Sequence, residues 1–350
     1  MEYVLGIINL SPKTGVKLPS ESEICRKFQC SRSTVVTALN KLEEQKIIVR
    51  KQGQGSYTTS KATNLNHKPH EKRIALIIPT MTSNFVSNVA ESVSRSISQK
   101  GYSCHIFCTY GDIQYEEKLL TNLQVKRYDG IIIYPNNSLY INKNLKKLSY
   151  LDFPLVLLDR YYSNVNIPIV SADHYTSSYN TVIKLIELKK KSMCLITDES
   201  TFATSLSLRT KGFFSAIKAH SHILDEEKSS TFSGSSNYSV FEKCFNEYLN
   251  EHPETDAVIT TSGCLAIFVM RTLQKLNKQI GKDIFFALYD EEIPGFDYLI
   301  DFDYLHINQN SALIGQKAAA IMCDIIDKKP CNKINFIDPS IVYKHRQNDV

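Results

Sequence analysis

The sequence predicts an α/β protein in two parts: a small winged helix-turn-helix, then a two-lobed unit built from parallel α/β sheets. Three observations lead there. Residues 18–59 carry two amphipathic segments, then two short β-type segments around a glycine pair. Beyond residue 73, apolar runs such as ALII, GIIIY and LVLL alternate with helical periodicity, as strands do when both faces of a parallel sheet are covered. Between them, SKATNLNHKPHEKR is polar and lacks apolar periodicity. Residues 60–73 are therefore expected to link a domain at 1–59 to one at 74–350.

Ser20 stands three positions before Glu23, the reciprocal arrangement that caps a helix start. Ile24 and Phe28 supply that helix with an apolar stripe. Ser31 is placed to cap a second helix, in which Val35, Leu39 and Leu42 fall on one face and leave Arg32, Ser33, Thr34 and Thr37 on another. Residues 47–51 and 56–59 then read as strands joined through Gln52, Gly53, Gln54 and Gly55, whose glycines permit a tight reversal. The stretch before residue 18 leaves room for a clipped first helix around residues 3–10.

After the linker the pattern predicts strands at 74–78, 103–108, 130–134 and 155–158, with helices at 85–100 and 114–125. A second series places helices at 175–188, 207–219, 240–249 and 265–276 and strands at 192–196, 257–260 and 284–288. The tail adds strands near 304–307, 334–336 and 341–343 and a helix at 312–326. Two α/β halves in series leave a cleft at the carboxyl ends of their strands, where open sheets of this kind bind small ligands.

Composition fits a globular chain of more than one domain: 350 residues, 43% hydrophobic and 22% charged. Net charge is +5, and its distribution is informative. Residues 1–73 hold 13 Lys+Arg against 6 Asp+Glu, a local charge of +7, and the remainder carries −2. The basic excess lies where phosphate contacts are needed. Nine cysteines without a secretion signal point to the cytoplasm, and no apolar run approaches membrane-spanning length. Cys104 and Cys108 flank His105, but they share a strand face and no second pair has ligand spacing, so no metal and no cofactor is expected. No phosphate loop, HExxH, GxSxG or dinucleotide fingerprint is found, which argues against an enzyme.

A recognition helix presents its N-terminal residues to the major groove, and an arginine there can bridge guanine O6 and N7. Arg32 is the leading candidate for base contact, with Ser33 and Thr34 beside it and Arg50, Lys51, Gln52 and Gly53 on the wing. LPSE, SRSTVVTAL, the leucine-glutamate pair and RKQGQGSY together resemble the GntR family of bacterial transcription factors. The resemblance implies DNA contacts from Ser20, Arg32, Thr34, Arg50, Gln52 and Gly53. The chain departs from the family at Ser22 and Val36, where arginines are frequent, so the operator sequence does not carry over.

The rest of the chain resembles the LacI/GalR regulators and their periplasmic sugar-binding relatives. The motifs are RIALIIPTMTSNFV, KRYDGIIIYP, FPLVLLDR, IVSADHY, RTKGF, DAVITTSGCLA, ALYDEE, INQNSALIG and PSIVYKHR, in the family's order. The resemblance implies an effector site formed by Asn84, Phe85, Asp159, Arg160, Asp173, Arg209, Asp290 and Gln309. Each has a plainer reading: an aspartate at a strand end caps a helix, Phe85 packs in a core, Arg160 pins a loop. At TTSGCLA the chain has Ser262 and Gly263 where the family usually has an Asn-Asp pair. A GntR reader joined to a LacI-like sensor recurs in arabinose-responsive repressors. The expected function is a repressor working as a homodimer on a near-palindromic operator and controlled by a small effector, a sugar first, with a purine or another polar metabolite as the alternative. A sugar- or nucleoside-acting enzyme is the remaining alternative.

Overall fold

A computed structural model describes residues 14–61, 72–125, 128–136, 141–162, 165–198, 203–224, 226–289 and 301–345. The chain divides into two compact units between Glu71 and Lys72. The expected helix at 3–10 lies outside the described residues.

In the first unit, α1 (Glu21–Phe28) starts at the Ser20 cap, where Glu23 N–H donates to the serine hydroxyl and the Glu23 carboxylate accepts from Ser20 N–H at 2.7 Å. Gln29 closes it in the left-handed region, and after Cys30, α2 (Arg32–Glu44) begins at the Ser31 cap. Val35, Leu39 and Leu42 from α2 meet Leu18, Ile24, Ile47 and Ile48 in a small core. The wing is antiparallel, β1 (Ile48–Lys51) with β2 (Gly55–Thr58). Its reversal needs positive φ at Gly53 (+73°) and Gly55 (+106°), which is why glycines stand there.

The described residues of the second unit form two six-stranded sheets. The first, in the order β13-β7-β6-β5-β3-β4, is parallel throughout, from β3 (Arg73–Ile78), β4 (Ser103–Cys108), β5 (Gly130–Ile133), β6 (Leu155–Leu158), β7 (Ile169–Ala172) and β13 (Ile334–Ile337). The second, in the order β14-β12-β11-β10-β8-β9, is built from β8 (Met193–Asp198), β9 (Ser230–Gly234), β10 (Ala257–Thr260), β11 (Phe285–Tyr289), β12 (Tyr304–Asn308) and β14 (Ser340–Lys344). Among its described strands, only the edge strand β14 runs antiparallel to its neighbour. The helices are α3 (Asn84–Gln99), α4 (Ile113–Val125), α5 (Lys143–Tyr150), α6 (His174–Glu187), α7 (Thr204–Ala219), α8 (Tyr238–Glu251), α9 (Gly263–Lys275) and α10 (Ser311–Ile326).

The expectation of two halves strictly in series needs correction. Among the described residues the chain crosses between the sheets three times: from β7 into α6, from β12 into α10, and from β13 into β14. Helix α10 returns to the first lobe because its apolar face, Ile314, Ala318, Ala319, Ile321 and Met322, completes the core beneath α3. Gly315 allows that approach, since a Cβ there would stand 2.6 Å from the Ser92 Cβ. Helix α6 belongs to the second lobe, where Val182 and Leu185 join Phe213, Ala216 and Ile217 of α7. The three crossings are stitched together: Asp173 N–H donates to Ile337 O at 3.0 Å, and Asn310 Nδ2 donates to Asp338 O at 2.6 Å. Helix α5 and strands β7 and β9 had not been assigned from sequence. α5 is short and lysine-rich, β9 alternates exposed and half-buried positions at a sheet edge, and β7 spans only four residues.

Candidate functional site

The exposed end of α2 carries Arg32, Ser33 and Thr34, with Thr37 and Lys41 on the following turns. Its hydroxyls are organised: Ser31 Oγ lies 2.8 Å from both Ser33 Oγ and Thr34 Oγ1. Glu21 sits between the two arginines expected to reach DNA. Its Oε2 accepts from Arg32 Nε at 3.0 Å and its Oε1 from Arg50 Nη2 at 2.5 Å, while Arg50 Nη1 also reaches Asn40 Oδ1. Lys51, Gln52 and Gly53 are exposed at the wing tip, and Lys51 Nζ lies 5.2 Å over the Tyr57 ring. The Ser20 hydroxyl is engaged in its helix cap. Glu21 and Lys41 were not singled out as site residues from sequence, although LPSE contains the glutamate.

The second cluster forms where the lobes meet. Arg209, on α7 of the second lobe, is 5% exposed and holds a fork of bonds. Nη1 donates to Thr261 O at 3.0 Å, and Nη2 donates to Gln309 Oε1 at 2.7 Å and to His174 Nδ1 at 3.3 Å. Its guanidinium lies 4.2 Å over the ring of Tyr289. Two of the three crossings are therefore tied to one side chain, through His174 at the start of α6 and Gln309 between β12 and α10.

The first lobe answers with Asp159, which follows β6 in the left-handed region at φ 59°. Aspartate tolerates that conformation better than most residues, and here it aims the carboxylate inward. Oδ1 lies 2.8 Å from His174 Nε2, and Oδ2 accepts from the Tyr134 hydroxyl at 2.6 Å. Burial alone would raise the Asp159 pKa, but His174, Tyr134 and Arg209 outweigh it and hold the carboxyl well below its ordinary range. The same enclosure pushes the Tyr134 phenol well above its own.

Arg160 next to it is half-buried, donates from Nη1 to Pro135 O and Asn136 O, and lies 5.2 Å over Tyr134. It pins the loop after β5, as does Glu116, whose carboxylate accepts from Asn136 N–H at 2.8 Å and whose pKa burial raises. The Nε atoms of both Arg160 and Arg209 are buried without a partner among the described residues. Asp198, at the carboxyl end of β8, is exposed by area yet crowded enough for burial to raise its pKa against the pull of Arg209 and Arg160. Donors left unmet on both arginines, with a carboxylate nearby, suit a ligand whose hydroxyls both donate and accept.

The structure thus brings together Asp159, Arg160, Arg209 and Gln309. Asp173 instead caps α6, its Oδ1 accepting from Thr176 N–H at 2.9 Å, and Phe85 is 5% exposed in the core of the first lobe. Asn84 opens α3 half-buried, and Asp290 lies outside the described residues. His174, Tyr134, Tyr289 and Asp198 were missed from sequence. The signal for His174 was its place in SADHY, directly after a strand.

Fold and sites define a class: a winged-helix DNA reader joined to a two-lobed small-molecule-binding unit. Residues 74–330 match the periplasmic binding protein domain family, well over half of the chain, and residues 6–57 match the bacterial regulatory proteins of the gntR family. The chain belongs to the periplasmic binding protein domain family and carries a gntR-type regulatory domain ahead of it. It is similar to an arabinose metabolism transcriptional repressor of Geobacillus stearothermophilus, 23% identical with 100% of this chain and 96% of the other covered. A ribose operon repressor of Halalkalibacterium halodurans is 24% identical over 91% of this chain and 93% of its own. Among solved structures, a periplasmic binding protein/LacI transcriptional regulator from Alkaliphilus metalliredigens, complexed with D-xylulofuranose, superposes with a TM-score of 0.64 at 20% identity. That match covers 79% of this chain and 100% of the other.

Proposed function

We propose that this chain is a cytoplasmic transcriptional repressor that binds a near-palindromic operator as a homodimer and is released when a sugar occupies the cleft between its lobes. The observation that carries the reading is the buried Arg209 fork, which ties two interlobe crossings together while its Nε–H has no partner among the described residues. A polyol that engages this donor and Arg160 bridges the lobes, so it binds the closed arrangement more tightly than the open one. The arabinose and ribose named for the similar repressors, and the pentulose in the similar solved structure, support a pentose-sized ligand.

On the DNA side, Arg32 with Ser33 and Thr34 enters the major groove, while Arg50, Lys51, Gln52 and Gly53 follow the adjacent backbone. A thermal-shift panel of pentoses, hexoses, phosphorylated sugars and purines tests the ligand class. A pentose is expected to raise the melting midpoint; a shift with purines alone would overturn the sugar reading. Arg32→Ala should abolish operator binding in a mobility-shift assay while the sugar shift persists.

A further inference from the structure

His174 is 1% exposed and opens α6 directly after the first crossing. Its Nε2 lies 2.8 Å from Asp159 Oδ1 and 3.1 Å from Ser171 Oγ, and its Nδ1 lies 3.3 Å from Arg209 Nη2. A guanidinium only donates, so Nδ1 must present a lone pair, and a carboxylate only accepts, so Nε2 must carry the proton. One protonation state meets both demands: the neutral ring protonated on Nε2. The resulting chain runs from Asp159 of the first lobe through His174 to Arg209 of the second, and on to Gln309 at the next crossing.

We propose that neutral His174 is a positioning residue which orients the Arg209 fork for the effector, and that protonation of its ring disconnects Arg209 and weakens effector binding. The inference rests on the reading of the cleft as the effector site. A proton on Nδ1 would set a donor against Arg209 Nη2 and a cation against a cation. The guanidinium would have to turn, surrendering the geometry that holds Gln309. Burial is the largest influence on the ring and disfavours the imidazolium; among the described residues Asp159 and Asp173 favour it and Arg209 opposes it, so burial prevails and the pKa is lowered. The ring is therefore neutral at about pH 7 and titrates on the acid side of about 6.5.

The experiment uses the full chain. Imidazole and arginine side-chain nitrogen spectra of the unliganded protein are followed from about pH 8 down to the lowest pH at which the chain stays folded. Arabinose and ribose binding are measured by calorimetry with the ring neutral and with it protonated, for wild type and at the same two pH values for His174→Gln. A ring that never titrates while the chain is folded would overturn the pH switch. An Nε2–H tautomer is expected, with Arg209 signals moving in step with the ring. Wild-type affinity should fall roughly tenfold on acidification, as expected when a hydrogen bond to a charged group is lost. His174→Gln retains an amide donor and a carbonyl acceptor, and its weaker binding should be flat over the same range. An Nδ1–H tautomer, a ring titrating at or above its ordinary value, or the same pH dependence in His174→Gln would overturn the proposal. If neither sugar binds, the sugar reading fails, and the tautomer with the Arg209 response still decides the role of His174.

Discussion

Replacing Arg209 with methionine keeps the length and most of the volume of the side chain but removes every donor. Three acceptors each lose the bond from Arg209: Thr261 O, Gln309 Oε1 and His174 Nδ1. The buried Asp159 carboxylate also loses a nearby positive charge. Breaking a buried ionic network by removing one member costs about 3–5 kcal/mol, and methionine's good packing places this variant near the lower end. At roughly 2–4 °C per kcal/mol for a unit of this size, the melting midpoint should fall by about 6–12 °C. Arg209→Lys should lose less stability, since the charge remains, but equally little effector response, since an ammonium cannot reproduce the fork. Differential scanning calorimetry with and without arabinose or ribose reads both quantities. A midpoint within about 1 °C of wild type, with the ligand shift intact, would refute the claim that this side chain joins the crossings to the effector.

Glu21→Gln frees Arg32 and Arg50 from their shared carboxylate. With each exposed pair worth roughly 0–1 kcal/mol, non-specific duplex binding at low salt should strengthen about two- to tenfold while preference for the operator falls, both readable by fluorescence anisotropy. Stability should fall on acidification in two windows. His174, whose folded pKa is depressed, contributes above about pH 6.5 and loses that contribution as pH drops below it; Asp159, also depressed, loses its own below about pH 4. Thermal melts should show the first loss in wild type but not in His174→Gln, and a midpoint that rises on acidification would mean the folded ring is charged. Gly315→Ala should lower the urea midpoint by an amount equivalent to about 1–3 kcal/mol, because the added Cβ meets Ser92 and Val89 O within 2.8 Å or less and this outweighs the gain of about 1 kcal/mol in helix propensity.

The winged helix was readable almost residue by residue because its signals are local: Ser20 with Glu23, Ser31 before α2, and two glycines at the wing all act within a few positions. Strands β3, β5 and β6 were equally plain, since burial on both faces writes an uninterrupted apolar run. What could not be read is whatever depends on long-range return. Nothing near residues 311–326 says that α10 packs on α3 more than two hundred positions earlier; Gly315 and Ser92 become partners only in three dimensions. The same holds for the cleft. Arg209 was singled out for its type, yet its partners come from residues 174, 261, 289 and 309, and the buried histidine that fixes its geometry looked in sequence like an ordinary helix start. Asp173 shows the converse, a carboxylate whose visible role is the helix cap that strand-end aspartates commonly supply.

The central claim is that occupancy of the cleft controls the DNA reader. It is tested most directly by selecting a tight-binding duplex from a random pool, then titrating it with the full-length protein in the presence of increasing arabinose or ribose. A sugar that raises the melting midpoint should weaken operator affinity at a concentration matching its own dissociation constant, and Arg209→Met should abolish that response while binding the same duplex. Sugar binding that leaves the affinity for the selected duplex unchanged would contradict the account.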